Sequence, residues 1–370
     1  GNAGEYDYSA DVAFPFGYGL SYTDFEYSNM TSTYNAAEDT FEVSVTVTNK
    51  GDVAGKETVQ IYAGVPYTEY DKANGVENAS VSLVGFEKTK ELAPGASETV
   101  VISVEKRDLA SFDTYGYKTY ILDDGDYYLT AATDAHNATN NILAAKGYTV
   151  ANTNGRMDVD GNADLTYKWN NPTFDAETYA VTEDGDAITA QLSIADPNLN
   201  EGVEEEVTWL SRNDWVGTFP TEIVKFALTE KLIDALQLVL YDPADHEAVE
   251  MPTLGADNGM QLVDMIGKDY NDPDWDKLLD QLTYDEMVSL IADSFHWTMP
   301  ILSVQAPGTR DENGPQGLTV TLFGSGLGVE TTALTSEDVL AATFNKELIY
   351  EIGNIVGNDC LDAGVTFLYG

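Results

Sequence analysis

Residues 41–48 alternate without a break: Phe41, Val43, Val45 and Val47 are apolar, and Glu42, Ser44, Thr46 and Thr48 are polar. A period of two sends successive side chains to opposite faces, so this segment fits a half-buried strand and no helix. The same period returns at Val59, Ile61 and Ala63, at Val100, Ile102 and Val104, and at Tyr127, Leu129 and Ala131. Val81, Leu83 and Phe86 mark another strand, in which Gly85 predicts a bulge. Asn49-Lys-Gly-Asp52 and Pro94-Gly95 supply turns between them. Short strands at regular spacing predict a β-sandwich over residues 24–150.

The pattern then changes. Residues 151–264 read as a connector with some secondary structure, rich at first in Asp, Asn, Gly and Thr and carrying the acidic run 201–206. Within it, Ile223, Phe226, Leu232, Leu236 and Val239 have helical spacing, which predicts a helix over 221–240. From 265 onward helices alternate with an apolar strand. Asp272 is a candidate cap ahead of Pro273, and Thr283 with Glu286 has capping-box spacing. Asn345 opens an amphipathic helix that Gly364 ends, and 365–369 follows as a predicted buried strand. The fold class is multidomain, β followed by α/β.

Asp and Glu number 63 against 18 Lys and Arg, a net charge of -45. Such a chain repels phosphate backbones and anionic lipid, so nucleic acid is not an expected partner. No apolar run is long enough to span a bilayer. The single cysteine, Cys360, excludes an intrachain disulfide and reads as a small core residue. Asp158-Val-Asp-Gly-Asn-Ala-Asp164 alternates oxygen ligands like a calcium loop. Ala163 and Trp169 stand where such a loop needs Gly and Glu, so no metal is expected. His136 and His246 lie in polar segments, and His296 reads as structural. No phosphate loop or dinucleotide fingerprint is present, and no cofactor is expected.

Several segments carry a resemblance. Phe14-Pro-Phe-Gly-Tyr-Gly-Leu-Ser-Tyr-Thr-Asp-Phe25 precedes Gly55-Lys-Glu-Thr-Val-Gln-Ile-Tyr62, Leu83-Val-Gly-Phe-Glu-Lys88 and Leu92-Ala-Pro-Gly-Ala-Ser97. In this order they resemble the end of the second catalytic domain and the fibronectin type III-like domain of glycoside hydrolase family three. Residues 275–291, 311–318, 341–348 and 358–369 resemble the opening of that family's (β/α)8 barrel. The resemblance implies four parts: the tail of an α/β sandwich domain at 1–23, a fibronectin type III-like domain at 24–150, a connector at 151–264, and an incomplete barrel at 265–370. It also implies a permuted domain order, with both ends of the chain lying inside a longer protein.

The function implied is that of a retaining, exo-acting glycoside hydrolase, a β-glucosidase or a relative, acting on an oligosaccharide or β-glucoside. In the family, the aspartate before Gly-Pro hydrogen-bonds sugar hydroxyls. The matching residue is Asn313, with Asp311 two positions earlier, and Trp297 matches an aromatic near the active-site rim. Asn both donates and accepts, but it lacks the charge-assisted bond of a carboxylate. By motif order neither the nucleophile nor the acid/base lies in these residues, so no catalytic residue is assigned and the chain alone is expected to be inactive. The rival reading is a non-catalytic carbohydrate-binding or cell-surface β-sandwich protein. Sugar and linkage, oligomeric state and compartment (bacterial cytoplasm or secreted) stay open at this point.

Overall fold

The computed structural model describes residues 8–200, 206–222, 225–237, 244, 250–319 and 328–369. The chain divides into two compact units, Gly1–Leu238 and Val239–Gly370.

The first unit is built on strands β1 (Phe25–Asn35), β2 (Thr40–Asn49), β3 (Thr58–Gly64), β4 (Ser82–Lys88) and β5 (Ser97–Glu105). The short pair β6 (Ser111–Phe112) and β7 (Tyr120–Ile121) follows, then β8 (Gly125–Ala132) and β9 (Thr166–Asn171). One sheet has the order β1-β2-β5 and the other β4-β3-β8-β9, with every pairing antiparallel. The alternation of β2 becomes strict alternation of burial, with Phe41, Val43, Val45 and Val47 wholly inside. They meet Val59, Ile61, Ala63, Val100, Ile102, Val104, Tyr127, Leu129 and Ala131 in one core. Each buried Val or Leu there contributes about 1.5–3 kcal/mol relative to its exposed state. The bulge lies where Gly85 predicts it: Ile61 pairs with Gly85 and Tyr62 with Leu83, leaving Val84 as the extra residue.

The sheet continues past residue 150. Tyr127 of β8 pairs with Trp169 of β9, and the indole packs edge-on against Phe41 with ring centroids 5.3 Å apart. A helix at Ala135–Ala145 precedes β9, with Asp134 capping it through the Asn137 amide. Its buried face is partly polar: Asn141 donates to the Ala131 carbonyl and accepts from the Asn162 amide, both from inside the protein. The aspartates of the calcium-like run serve hydrogen bonds. Asp158 holds His136 at 2.9 Å, and Asp160 accepts from the Val150 amide at 2.7 Å.

The turn after β2 is organised by Asn49, which is fully buried. Its Oδ1 accepts from Thr23 Oγ1 at 2.7 Å and from the Gly51 amide at 3.0 Å. Its Nδ2 donates to the carbonyls of Val53 and Leu92, each at 2.8 Å. The amino-terminal segment is held mainly by its backbone: Ala135 donates to the Phe16 carbonyl and Gln60 to that of Gly17. Phe14, Phe16, Leu20 and Tyr22 remain exposed.

The helix predicted over 221–240 is shorter. Thr229 caps a helix at Glu230–Leu236, and residues 225–228 are not helical, because the Thr229 hydroxyl accepts from the Leu232 amide and starts the helix there. Ile223, Val239 and His246 lie outside the described residues.

The second unit contains helices at Asp274–Leu279, Tyr284–Ala292 and Lys346–Ala363, with strands β10 (Asp311–Asn313) and β11 (Phe367–Tyr369). Asp272 caps the first helix by accepting from the Asp274 amide at 2.9 Å, although its helical residues begin after Pro273. Thr283 and Glu286 form the predicted capping box, and Asn345 caps the long helix through the Leu348 amide. Gly364 ends that helix at φ 68°, a left-handed backbone that glycine adopts without strain. The strand after it is not buried as a whole: Leu368 is half-buried, whereas Phe367 and Tyr369 are 57% and 40% exposed. The described residues cover one of its faces only.

Candidate functional site

Strands β10 and β11 run parallel, pairing Asp311 with Phe367, Glu312 with Leu368 and Asn313 with Tyr369. Helix Lys346–Ala363 lies between them in sequence, so the three form a β-α-β unit. Alternation along β10 sorts its side chains. Glu312 turns inward, 4% exposed, and accepts from Arg310 Nε at 3.0 Å. Asp311 and Asn313 share the other face, Asp311 half-buried and Asn313 exposed. A carboxylate and a carboxamide two residues apart on one face offer acceptors and a donor to neighbouring hydroxyls.

A second segment runs beside β10. The Asp311 amide donates to the His296 carbonyl at 2.9 Å, and the Thr309 amide donates to Thr298 at 3.1 Å. This ladder brings Trp297 alongside the strand that carries Asp311 and Asn313. The Trp297 indole donates Nε1–H to the Asp293 carbonyl at 3.0 Å and is 40% exposed, which fixes the ring and leaves part of it open. His296 lies edge-on to Tyr369, with centroids 5.3 Å apart, and its Nδ1 is buried without a hydrogen-bond partner among the described residues. Of the three residues singled out in the sequence, Asp311 and Asn313 therefore share β10, and Trp297 lies on the irregular segment bonded alongside it. The place of His296 against Tyr369 was not foreseen, because no spacing connects residues so far apart in the chain.

The end of β10 is closed by a turn: the Gly314 amide donates to the Tyr369 carbonyl and the Thr319 amide to Asn313. Gly317 has φ 102°, and a Cβ there would stand 2.1 Å from the Thr332 carbonyl oxygen, so only glycine fits. Nearby, Glu286 also accepts from the Ser303 amide at 2.8 Å. Burial pushes its pKa up, but the amides of Ser303 and Thr283 outweigh that and hold the carboxyl down at about 2.

A cavity of about 620 Å³ lies between helix Lys346–Ala363 and the strands, walled by Leu340, Ile349, Ile352, Val356, Cys360 and Leu368 among others. Its lining does not include Asp311, Asn313 or Trp297. With walls this apolar it offers a sugar little hydrogen bonding, so the exposed face of β10 is the better candidate for a polar ligand. Burial pushes the Cys360 thiol up. Among the described residues no group of three or more His, Cys, Asp or Glu is arranged to hold a metal ion. No described helix is long and apolar enough to cross a membrane.

Comparison with known proteins bears on both units. A family model for a fibronectin type III-like domain matches residues 57–135. A β-glucosidase of Ruminococcus albus is 40% identical over 131 residues, covering 34% of this chain and 13% of that protein. β-Glucosidase A of Butyrivibrio fibrisolvens is 26% identical over 375 residues, covering 94% of this chain and 40% of that protein. That alignment passes through both units in the order they have here. A solved β-glucosidase from Paenibacillus barengoltzii superposes with a TM-score of 0.57 over 98% of this chain and 35% of its own, at 20% identity, a likeness of fold. The chain thus spans less than half the length of these relatives. It carries a fibronectin type III-like domain and is similar, through both of its units, to β-glucosidases of glycoside hydrolase family three.

Proposed function

We propose that the chain supplies part of a retaining, exo-acting glycoside hydrolase, most closely a β-glucosidase acting on terminal β-linked glucose or a similar sugar. The observation that carries this reading is the shared face of Asp311 and Asn313 at the end of a parallel β-α-β pair. In (β/α)8 barrels, ligands bind at the carboxyl ends of the strands. On this reading residues 265–370 are the first part of such a barrel, with Asp311 and Asn313 holding sugar hydroxyls and Trp297 facing the ring's C–H surface. Residues 1–23 are the tail of an α/β sandwich domain, 24–150 the fibronectin type III-like domain, completed by β9 from the following segment, and the rest of 151–264 a connector. The names of the relatives supply the substrate class.

Retaining hydrolysis needs two carboxyl groups about 5–5.5 Å apart across the scissile bond. Among the described residues of β10 the proposed face carries one, Asp311; Glu312 is turned inward onto Arg310. The chain alone therefore binds sugar without cleaving it. Ligand-observed NMR of the whole chain with glucose tests the binding half. Saturation transfer should appear with the wild type and vanish in the Asp311→Ala/Asn313→Ala double variant. An unchanged signal in the folded double variant rejects the site. Release of p-nitrophenol from an aryl β-glucoside by the chain alone rejects the division of labour.

A further inference from the structure

The first unit buries three aspartates close together. Asp71 and Asp113 have no exposed surface and Asp123 is 1% exposed. Asp113 is fully provided for: it accepts from the Gly116 and Tyr117 amides and from the Tyr70 hydroxyl, at 2.8, 2.7 and 2.5 Å. The other two are not. Asp71 Oδ2 accepts from the Thr68 amide at 2.6 Å, and Asp71 Oδ1 is buried with no hydrogen-bond partner among the described residues. Among the described residues Asp123 Oδ1 has the Thr68 hydroxyl alone, at 3.3 Å. Thr68 is thus the hub of both carboxyl groups, and its hydroxyl also accepts from the Asp71 amide to cap the helix Glu69–Asn74.

The charges facing this hub are unbalanced. Asp113 and Asp124 act on Asp123 along with Asp71, and Arg212 is the cation that acts on Asp71. The other titratable groups packed here are Tyr70, bonded to Asp113, and Tyr127, which donates to the Asp123 carbonyl at 3.1 Å. Two poorly solvated carboxylates cannot both remain ionised in such a place. The same helix and its flanks also seat a distant segment. The Arg212 guanidinium stacks 4.5 Å over Tyr67 and donates to the Asn78 carbonyl, while its amide reaches Glu77.

We propose that Asp71, Thr68 and Asp123 bind one proton, carried on Asp123, and that this proton latches the 65–78 segment and the seat of Arg212 onto the sandwich. The latch is closed at acidic pH and loosens as the proton leaves on the way to neutral pH.

Burial pushes the Asp123 carboxyl up from 3.8 to about 7, with the Asp71 charge as the next cause, and burial also raises Asp71. The sign follows from linkage. A carboxyl whose folded pKa is raised stabilises fully below its unfolded pKa, and that stabilisation is lost as pH rises through the folded value. The loss therefore runs from about pH 4 to about pH 7 and then stops.

The test is a ¹³Cγ NMR titration of aspartate-labelled whole chain from pH 4 to 9, with the Asp123→Asn difference identifying the resonance. Amide exchange of residues 65–78, corrected for the intrinsic pH dependence, is read in parallel. The expected midpoint lies near 7, and the opening equilibrium of 65–78 rises about tenfold between pH 6 and 8 in the wild type and stays flat in Asp123→Asn. A midpoint below 5, or the same rise in the Asn variant, overturns the proposal. Should Asp123→Asn not fold, Asp71→Asn removes the facing charge and should lower the remaining raised midpoint. A midpoint unmoved by that change also overturns it.

Discussion

Replacing Asn49 by alanine removes four hydrogen bonds at one point and leaves the core side chains untouched. The bonds are not of equal weight. Gly51 and Val53 lie in a partly exposed turn, where water can replace the lost partner. Leu92 keeps the Gly55 amide on its carbonyl. Thr23 is 9% exposed, and its hydroxyl loses its acceptor among the described residues. A typical internal hydrogen bond contributes about 1 kcal/mol net, and a buried group left unsatisfied costs about 1–3 kcal/mol. Two bonds at full value and two softened by water put the loss at about 3 kcal/mol. Hydrogen exchange of peptides from β2 and β5 reads this unit without reference to the other. Exchange through global opening should become roughly 150-fold faster, at about 1.4 kcal/mol per decade. Asn49→Asp is the sharper control. It keeps the accepting half but turns a charged oxygen toward the carbonyls of Val53 and Leu92, so it should cost at least as much as alanine despite its matching shape. Acceleration below fivefold in Asn49→Ala, or an aspartate milder than alanine, would refute the reasoning.

Three further outcomes can be checked. Glu286 has a carboxyl held down at about 2 by the amides of Ser303 and Thr283, so its stabilisation is present above its unfolded value near 4.5 and is lost as pH falls toward 2; after allowance for solvent screening, ~1–2 kcal/mol of second-unit stability should disappear between pH 5 and 3 by hydrogen exchange, and not in Glu286→Gln. Gly364→Ala forces a Cβ onto a backbone at φ 68° and should lower second-unit stability by about 1–2 kcal/mol in the same assay, whereas a neutral result would show the helix end relaxing. Limited proteolysis should leave a first-unit product ending beyond Asn171, identified by mass; early cleavage inside 135–171 would contradict the packing of β9 on β8.

The strands of the sandwich were legible because each buries one face, so period two in sequence became period two in burial, as at Val43, Val45 and Val47. The capping signals at Thr283, Asn345 and Gly364 were equally readable, since each is a local bond between residues three or four apart. Helix Ala135–Ala145 was not, because its buried face includes Asn140 and Asn141, whose worth depends on distant partners such as Asn162. Strand β9 was hidden too: Tyr167 and Trp169 are the only inward apolar pair, set among Thr, Lys and Asn. The helical spacing across 221–240 was real, yet a single Thr hydroxyl at 229 outranked it. At the candidate site, alternation along β10 separates Asp311 and Asn313 from Glu312, a distinction that needed the strand itself. Trp297 and His296 reach that strand through a ladder of backbone bonds that leaves no mark in side-chain spacing.

The late arrival of β9 has a consequence in time. β8 ends at Ala132 and its partner is complete only at Asn171, 39 residues further on (171 minus 132). At about 5–20 residues per second, a chain emerging from a ribosome carries β8 for roughly 2–8 seconds with one edge open. The intervening helix forms far faster, within about a microsecond, and packs against β8 while the edge waits. During synthesis the helix therefore reaches β8 before β9 does, and β9 closes that edge of the sheet last.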